Sequence, residues 1–256
     1  MIGGKSRQKK IAFGDEICIL GFQTRVPRLL TWLKCIGLAA GGVWLCHAAS
    51  AQTYPVTNTY NFTVNKTIPD GDPSGLADTE TLDLSGQQLF NITDLQVTLN
   101  ITGGFNGDYY AYLVHDGSFV VLLNRVGKTA ANPVGYADSG MNITLSIGAP
   151  DIHTYQTVSN PGGGALTGTW GVDGRNVDPA TVVDTDPQTT SLESFVGDDP
   201  SGQWTLFLAD LDYGEQGQLA SWGLVVTAVP EPGSLGLLAV GLSVMAGVRL
   251  WARRRS

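Results

Sequence analysis

Closely spaced aspartates are the residues of this chain whose type and spacing could do chemistry. Four pairs occur, at Asp70 and Asp72, Asp184 and Asp186, Asp198 and Asp199, and Asp210 and Asp212. Hard cations such as Ca²⁺ bind several carboxylate and carbonyl oxygens, often supplied by loops. None of the pairs matches the EF-hand loop D-x-[DN]-x-[DN]-G-x₅-E. We therefore predict calcium as a candidate ligand, with Asp198, Asp199, Asp210 and Asp212 as the candidate metal-binding residues.

Acid–base catalysis is the other chemistry that carboxylates support. Glycosidases use two carboxyl groups across the scissile bond, but nothing in the sequence marks one pair out for this task. The two histidines that follow residue 52, His115 and His153, lie outside H-E-x-x-H and outside any close spacing with another ligand. We interpret both as ordinary polar residues and predict that the protein is not an enzyme. A carboxylate-dependent polysaccharide hydrolase remains the alternative.

The charge distribution restricts the choice of partners. Residues 52–229 contain four Lys and Arg against twenty Asp and Glu, which gives this span a formal charge of −16. A domain this acidic repels nucleic acid and anionic surfaces, so we predict no nucleic-acid partner. The charge favours cations, and it is also explained by solubility alone.

The N-terminal region has the pattern of a secretory signal. Basic residues between 25 and 34 precede an apolar stretch at 35–45, and Ala49 and Ala51 then form the small-x-small pattern of a signal-peptidase site. We predict a signal peptide over residues 1–51, cut after Ala51. An N-terminal anchor is the alternative, but the apolar stretch is shorter than the ~20 residues of a spanning helix. Because residues 1–24 are polar, we also hypothesise that translation begins further in.

Cysteine usage agrees with export. All three cysteines precede residue 52, so the processed chain would contain none. It therefore cannot form disulfides or use a thiolate as a nucleophile or metal ligand.

The C-terminal tail at 229–256 combines three parts. These are Pro230-Glu231-Pro232, an uncharged apolar run at 235–248, and a terminal cluster of Arg253, Arg254 and Arg255. The prolines hold the backbone extended, the apolar run suits lipid, and the arginines stay on the cytoplasmic side. The tail resembles the PEP-CTERM sorting signal of Gram-negative bacteria. That resemblance implies a transmembrane sorting helix, transient retention in the inner membrane, and cleavage near Pro-Glu-Pro by an exosortase-type enzyme. A plain anchor that is never cut is the alternative.

Strand patterns dominate the middle of the chain. Apolar and polar residues alternate over 94–101 and 141–147, which is typical of strands with one buried face. Tyr109–His115 and Ser118–Asn124 flank Asp116-Gly117, a hairpin signal. Gln203–Asp210 and Leu219–Thr227 are interpreted as a second strand pair. We predict one all-β domain, an antiparallel jelly-roll β-sandwich, with residues 52–84 as a lead-in or first strands and residues 85–228 as the sandwich proper.

The last predicted strand pair also carries a family resemblance. Four segments of this pair are similar to the signature of the P domain (Homo B) of proprotein convertases. They are Gly202-Gln203-Trp204-Thr205-Leu206, Asp210, Gly217-Gln218-Leu219 and Trp222-Gly223-Leu224. Gly107-Asp108-Tyr109 fits an earlier strand of that family. The resemblance implies a jelly roll of about eight strands without catalytic residues. The Asp, His and Ser segments of a subtilisin-like protease do not occur in this sequence. We predict that Trp204 and Trp222 pack in the core; a sugar-stacking platform is the alternative.

These patterns together predict an exported, non-catalytic protein of the cell surface or extracellular matrix with a structural or adhesive role. The partners they imply are signal peptidase, an exosortase-type enzyme, the inner membrane during sorting, and exopolysaccharide or other surface proteins. A second hypothesis is a stabilising partner of a separate secreted protease.

Overall fold

The computed structural model describes residues 54–84 and 89–230, and helical positions at 241–243, 245, 247, 249 and 251–253. Nine strands occur in the first two ranges. They are β1 (Val56–Thr67), β2 (Leu76–Leu82), β3 (Leu89–Phe105), β4 (Tyr109–His115), β5 (Ser118–Asn124), β6 (Ser139–Leu145), β7 (Leu166–Trp170), β8 (Gly202–Asp210) and β9 (Gly217–Pro230). Three short 3-10 helices lie at Asn106–Asp108, Ile152–Thr157 and Leu192–Phe195.

The strands form two sheets. One has the order β1-β9-β3-β6-β7, and the other has the order β2-β8-β4-β5. Every neighbouring pair is antiparallel except β6 and β7, which run parallel. The prediction of a wholly antiparallel sandwich is therefore wrong at this edge. The connection over residues 146–165 explains the difference, because a parallel pair needs a link of a dozen or more residues to bring the chain back to the same end.

One hydrophobic core holds the two sheets together. It draws on alternate residues of both, and the side chains of Leu95, Val97, Leu99 and Ile101 in β3 are at most 1% exposed. Met141, on the neighbouring strand β6, is fully buried. The period-two alternation in the sequence is thus confirmed, because the apolar residues of these strands all point to one face.

The β4–β5 hairpin is confirmed with the predicted bounds. Asp116 and Gly117 connect the strands with φ of 44° and 87°, respectively. Positive φ at both central residues is the geometry of the tight turn whose twist matches that of the flanking strands, and glycine adopts it without a Cβ clash.

The predicted pairing of the last two strands is wrong. β8 pairs with β2 and β4 in the four-stranded sheet, whereas β9 pairs with β1 and β3 in the other. The segment between them crosses from one sheet to the other instead of closing a hairpin. Trp204 and Trp222 therefore enter the core from different sheets, where they are 0% and 1% exposed. Their predicted core role is confirmed, and burial leaves neither ring available as a sugar-stacking platform.

The segment 52–84 supplies one strand to each sheet, β1 and β2, so it contributes first strands of the sandwich. At the other end β9 continues to Pro230, which pairs with Leu89, two residues beyond the predicted end of the sandwich at 228. Within the described part of the chain, no helix is both long enough and apolar enough to cross a membrane. The predicted signal peptide, and most of the predicted apolar run of the tail, lie outside the described residues.

Candidate functional site

An acidic cluster lies where β8 ends beside the start of β4. Asp210 is the last residue of β8 and is the register partner of Tyr109. Asp108 precedes Tyr109, and its carbonyl accepts a 2.9 Å hydrogen bond from the backbone N–H of Leu211. Asp212 follows two residues later. The fold thus joins residues that lie about a hundred positions apart in the sequence. We call Asp70, Asp108, Asp210 and Asp212 the acidic cluster.

Arg125 neutralises part of this cluster. Its Nη2 donates to Asp108 Oδ1 at 3.2 Å and to Asp212 Oδ2 at 3.3 Å, while its Nε donates to the carbonyl of Gly107 at 2.9 Å. Asp70 is held differently, because its carboxylate accepts from the backbone N–H of Gly214 at 3.1 Å. One guanidinium therefore serves two of the four carboxylates.

Asp210 receives no such support. Its side chain is buried, at 1% exposure of the residue, and neither carboxylate oxygen has a hydrogen-bond partner. Burial and the nearby charge of Asp108 raise the pKa of Asp210 to about 7. Burial also raises the pKa of Asp108 to about 6, although Arg125 acts in the opposite direction. Both shifts arise because a buried carboxylate is poorly solvated in its charged form.

The four predicted metal ligands do not come together. Asp198 accepts from Ser118 Oγ at 2.8 Å, and Asp199 accepts from the backbone N–H of Ser201 at 2.8 Å. Both precede β8, whereas Asp210 is its last residue and Asp212 lies beyond it. The length of the strand therefore separates the two pairs by roughly 26 Å, at about 3.3 Å for each residue step. Among the described residues, no group of three or more His, Cys, Asp or Glu side chains is placed to hold a metal ion.

His115 is a buried structural residue. Its ring stacks on Trp204, with centroids 3.8 Å apart and planes 2° from parallel. Nδ1 lies 2.9 Å from the carbonyl oxygen of Gln203, and Nε2 lies 2.7 Å from that of Asp199. Both ring nitrogens thus face backbone acceptors, so neither is open to a substrate.

His153 belongs to a buried charged network. Its Nδ1 lies 2.7 Å from Asp173 Oδ2, and its Nε2 lies 2.9 Å from the carbonyl oxygen of Lys128. Burial disfavours the charged ring, but the hydrogen bond and the negative charge of Asp173 outweigh it and raise the pKa of His153. Arg175 pairs with Asp173 at 3.3 Å and with Asp151 at 2.8 Å. The His–Asp pair resembles part of a catalytic relay, but the backbone carbonyl at Nε2 occupies the position that a nucleophile would need.

The outer face of the four-stranded sheet carries a group of aromatic rings. Tyr112 stacks on Phe207 at a centroid distance of 4.7 Å and 14° between planes. Tyr112 also contacts Phe119 at 5.2 Å and Tyr110 at 5.9 Å. In β4 these tyrosines alternate with the buried residues Tyr109, Ala111 and Leu113, so they point away from the core and are partly exposed. We call Tyr110, Tyr112, Phe119 and Phe207 the aromatic face.

A separate cleft of about 400 Å³ opens beside the end of β7. Its walls come from residues 146–149, 151, 171–172 and 188–192, with Gln188, Thr189 and Thr190 supplying amide and hydroxyl groups. The carboxylate of Asp151 in this cleft is engaged by Arg175 at 2.8 Å. The lining contains no histidine and no aromatic side chain.

The predicted sorting residues divide between described and undescribed parts of the chain. Pro230 is the last residue of β9, and Arg253 is an exposed helical residue. Ala49, Ala51, Glu231, Pro232, Arg254 and Arg255 lie outside the described residues.

Comparison with known proteins identifies the tail. The model of the PEP-CTERM protein-sorting motif matches residues 228–255. This motif indicates export, recognition by an exosortase-type enzyme and membrane-associated sorting to the cell surface, as the tail predicted. No curated protein matches the chain.

Two solved structures share loose similarity with the sandwich. The crystal structure of a complex between an Aeromonas sobria serine protease and its chaperone (ORF2) aligns with a TM-score of 0.38 and 16% identity, over 69% of this chain and 27% of that chain. The crystal structure of the Aeromonas sobria serine protease aligns with a TM-score of 0.37 and 14% identity, over 68% of this chain and 27% of that chain. The chain therefore spans about a quarter of the length of either structure.

Sequence reasoning missed two of these features. Asp108 entered only as part of a family pattern, and its proximity to Asp210 has no local signal. The aromatic face did have one, because Tyr110 and Tyr112 alternate with apolar residues on a predicted strand, and Phe207 occupies an alternate position on another. What the sequence lacked was the adjacency of β4 and β8, which places the rings side by side.

Proposed function

We propose that this protein is an exported, non-catalytic component of the cell surface or extracellular matrix that adheres to polysaccharide through its aromatic face. The observation that carries the proposal is the contiguous, partly exposed set of rings on the outer face of the four-stranded sheet. Single exposed apolar residues are common on folded domains, but a contiguous group of exposed rings is typical of a binding surface. The PEP-CTERM motif supports the location in which such a surface would work.

The geometry of the face suits a sugar polymer. The four rings contact one another and form one apolar patch on the outer face of the sheet, and the apolar faces of pyranose rings pack against aromatic groups as other apolar groups do. The formal charge of −16 over residues 52–229 repels anionic polymers. We therefore assign a neutral exopolysaccharide as the partner.

A non-catalytic role is supported by the burial and the protein contacts of the groups that could catalyse hydrolysis. The carboxyl pair with raised pKa includes Asp210, whose oxygens are inaccessible to a sugar substrate. Both ring nitrogens of His115 and of His153 face protein acceptors. These contacts fit a scaffold that binds and does not turn over its partner.

We also propose that the sandwich is a P-domain-like jelly roll. The positions of the signature residues support this. Trp204 and Trp222 fill the core from opposite sheets, and Gly217 packs against the Tyr109 hydroxyl, where a larger residue would collide. All three act on packing, as expected for a stabilising module. Co-purification with a separate secreted protease, in place of polysaccharide, would favour the alternative partner.

The test is binding of the secreted protein to immobilised neutral exopolysaccharide from the producing cells. Tyr112→Ala combined with Phe207→Ala removes the stacked pair, and we expect roughly tenfold weaker binding, since each such ring contact contributes about 0.5–1.5 kcal/mol. Tyr213→Ala is the matched control, because that tyrosine is 82% exposed and lies outside the aromatic face.

The control must bind like wild type, and the circular-dichroism melting curve of each variant must remain cooperative. Equal binding by the double variant and wild type would contradict the adhesive role of the aromatic face. The PEP-CTERM assignment does not depend on this outcome.

A further inference from the structure

Asp210 poses a physical problem. Its carboxylate is buried, and neither oxygen makes a hydrogen bond of good geometry, although the backbone N–H of Asp212 lies near enough to lower the pKa of Asp210. Buried polar groups in folded proteins are almost always partnered, because an unpaired one loses its hydration without compensation. The Tyr109 hydroxyl, on the neighbouring strand, cannot supply the partner, because it donates to the carbonyl of Gly103 at 2.8 Å. The native environment of Asp210 therefore calls for a positively charged or proton-donating group.

The surroundings favour a cation over a protein donor. Arg125 is already engaged by Asp108 and Asp212. The negative charges of Asp108 and Asp70 both act on Asp210. The one guanidinium therefore pairs with two of the four carboxylates, and Asp210, which it does not reach, is the most deeply buried of them. Asp210 pairs with Tyr109, the residue that follows Asp108, so the fold brings these two aspartates together, and hard cations bind carboxylate oxygens.

We propose that a divalent cation of the calcium class binds between the carboxylates of Asp108 and Asp210 and links the start of β4 to the end of β8. Among the described residues, no three His, Cys, Asp or Glu side chains are placed to hold a metal ion together. The proposed site therefore consists of the carboxylates of Asp108 and Asp210, with the negative charge of Asp70 nearby. Calcium takes 6–8 oxygen ligands, and backbone carbonyls and water complete the shell in many proteins. The site differs from the one predicted from sequence, because Asp198 and Asp199 have no part in it.

Thermal unfolding of the full protein at pH 8 with CaCl₂ or with EGTA tests the proposal. We expect Ca²⁺ to raise the Tm by roughly 5 °C, because a ligand that binds only the folded state stabilises it by mass action. Asp210→Asn should abolish this shift while melting cooperatively in EGTA at or above the wild-type Tm. Asp199→Asn, at the opposite end of β8, should retain the full shift. Calorimetric titration with CaCl₂ should give one site per chain in wild type and none in Asp210→Asn.

Three results would overturn the proposal. The first is a wild-type Tm that is the same in CaCl₂ and in EGTA. The second is an Asp210→Asn variant that responds to Ca²⁺ like wild type. The third is a response lost in Asp199→Asn, which would place the cation at the other end of the strand. A Tm that depends on pH and not on Ca²⁺ would mean that protons alone neutralise the pair, and it also counts against the cation.

Discussion

Asp210 and Asp108 show how position alone changes the chemistry of a common residue. Both carry the same side chain as the exposed aspartates of the surface loops, yet burial raises the pKa of one to about 7 and of the other to about 6. The folded protein therefore retains protons that the unfolded chain releases at lower pH. The contribution of these two carboxyl groups to the free energy of unfolding is fully present below their pKa in the unfolded chain. It is lost as the pH rises through their folded-state pKa values of about 6 and about 7.

This loss of stability with rising pH leads to a prediction for Asp210→Asn. In metal-free buffer, wild type should lose stability between pH 5 and pH 8, and the variant should lose less, because an amide has no charge to bury. At pH 8 the variant should be more stable by on the order of 2 kcal/mol. His153 also has a raised pKa and contributes a loss of the same sign, so the informative quantity is the difference between the two proteins.

Urea unfolding at both pH values measures that difference. The matched control is Asp199→Asn, whose carboxylate lies outside the acidic cluster and accepts from a backbone N–H. Parallel pH profiles for wild type and Asp210→Asn would show that Asp210 is charged in the folded protein throughout this range.

At the scale of elements, β9 is an internal strand of the larger sheet. It is hydrogen-bonded along both edges, to β1 on one side and β3 on the other. At its first residue, Gly217, a Cβ would overlap the Tyr109 hydroxyl and also approach Ile68. The requirement for glycine here comes from space between the sheets, because Tyr109 belongs to β4 of the opposite sheet.

We predict that Gly217→Ala destabilises the protein by about 1–3 kcal/mol, the usual cost of forcing an extra group into a packed core. Gly148→Ala provides the control. Its φ is 75°, and nothing lies within 4 Å of the added Cβ, so it tests backbone strain alone at about 1 kcal/mol. Denaturant unfolding compares them. A smaller loss for Gly217→Ala than for Gly148→Ala would mean that the Tyr109 ring moves aside at little cost.

At the scale of the whole molecule, an acidic sandwich is combined with a sorting tail that begins where the sandwich ends. β9 ends at Pro230, so the match of the PEP-CTERM motif at 228–255 overlaps the last strand residues. The first proline of the tripeptide is therefore part of the folded domain, and Glu231 and Pro232 follow it. This proximity places the expected cleavage next to a fixed structure.

We predict that replacing Glu231 and Pro232 by alanine stops processing without unfolding the sandwich. A tagged protein should then appear as a larger species in the membrane fraction, whereas wild type should appear as a shorter species at the surface or in the medium. The control replaces Glu215 and Gln216, which are exposed residues of the loop between β8 and β9. Equal size and location for wild type and the tail variant would contradict recognition through the tripeptide.

Local pattern was sufficient for several elements. The alternation of Leu95, Val97, Leu99 and Ile101 predicted their strand and its buried face, because side chains of a strand alternate between two faces. Asp116-Gly117 predicted the β4–β5 turn, because the required backbone angles are a local property. The partner of β8 was predicted wrongly, since strand pairing depends on contacts between distant segments.

The sequence by itself determined several of the strands, the acidic charge and the sorting tail, because composition, period and short motifs express these properties directly. Only the tertiary structure decided that Asp108 faces Asp210, that Trp204 and Trp222 belong to different sheets, and that Tyr112 stacks on Phe207. Each of these depends on which strands become neighbours. That choice is made by burial of the whole apolar surface in one core, a collective free energy that no single segment of the sequence contains.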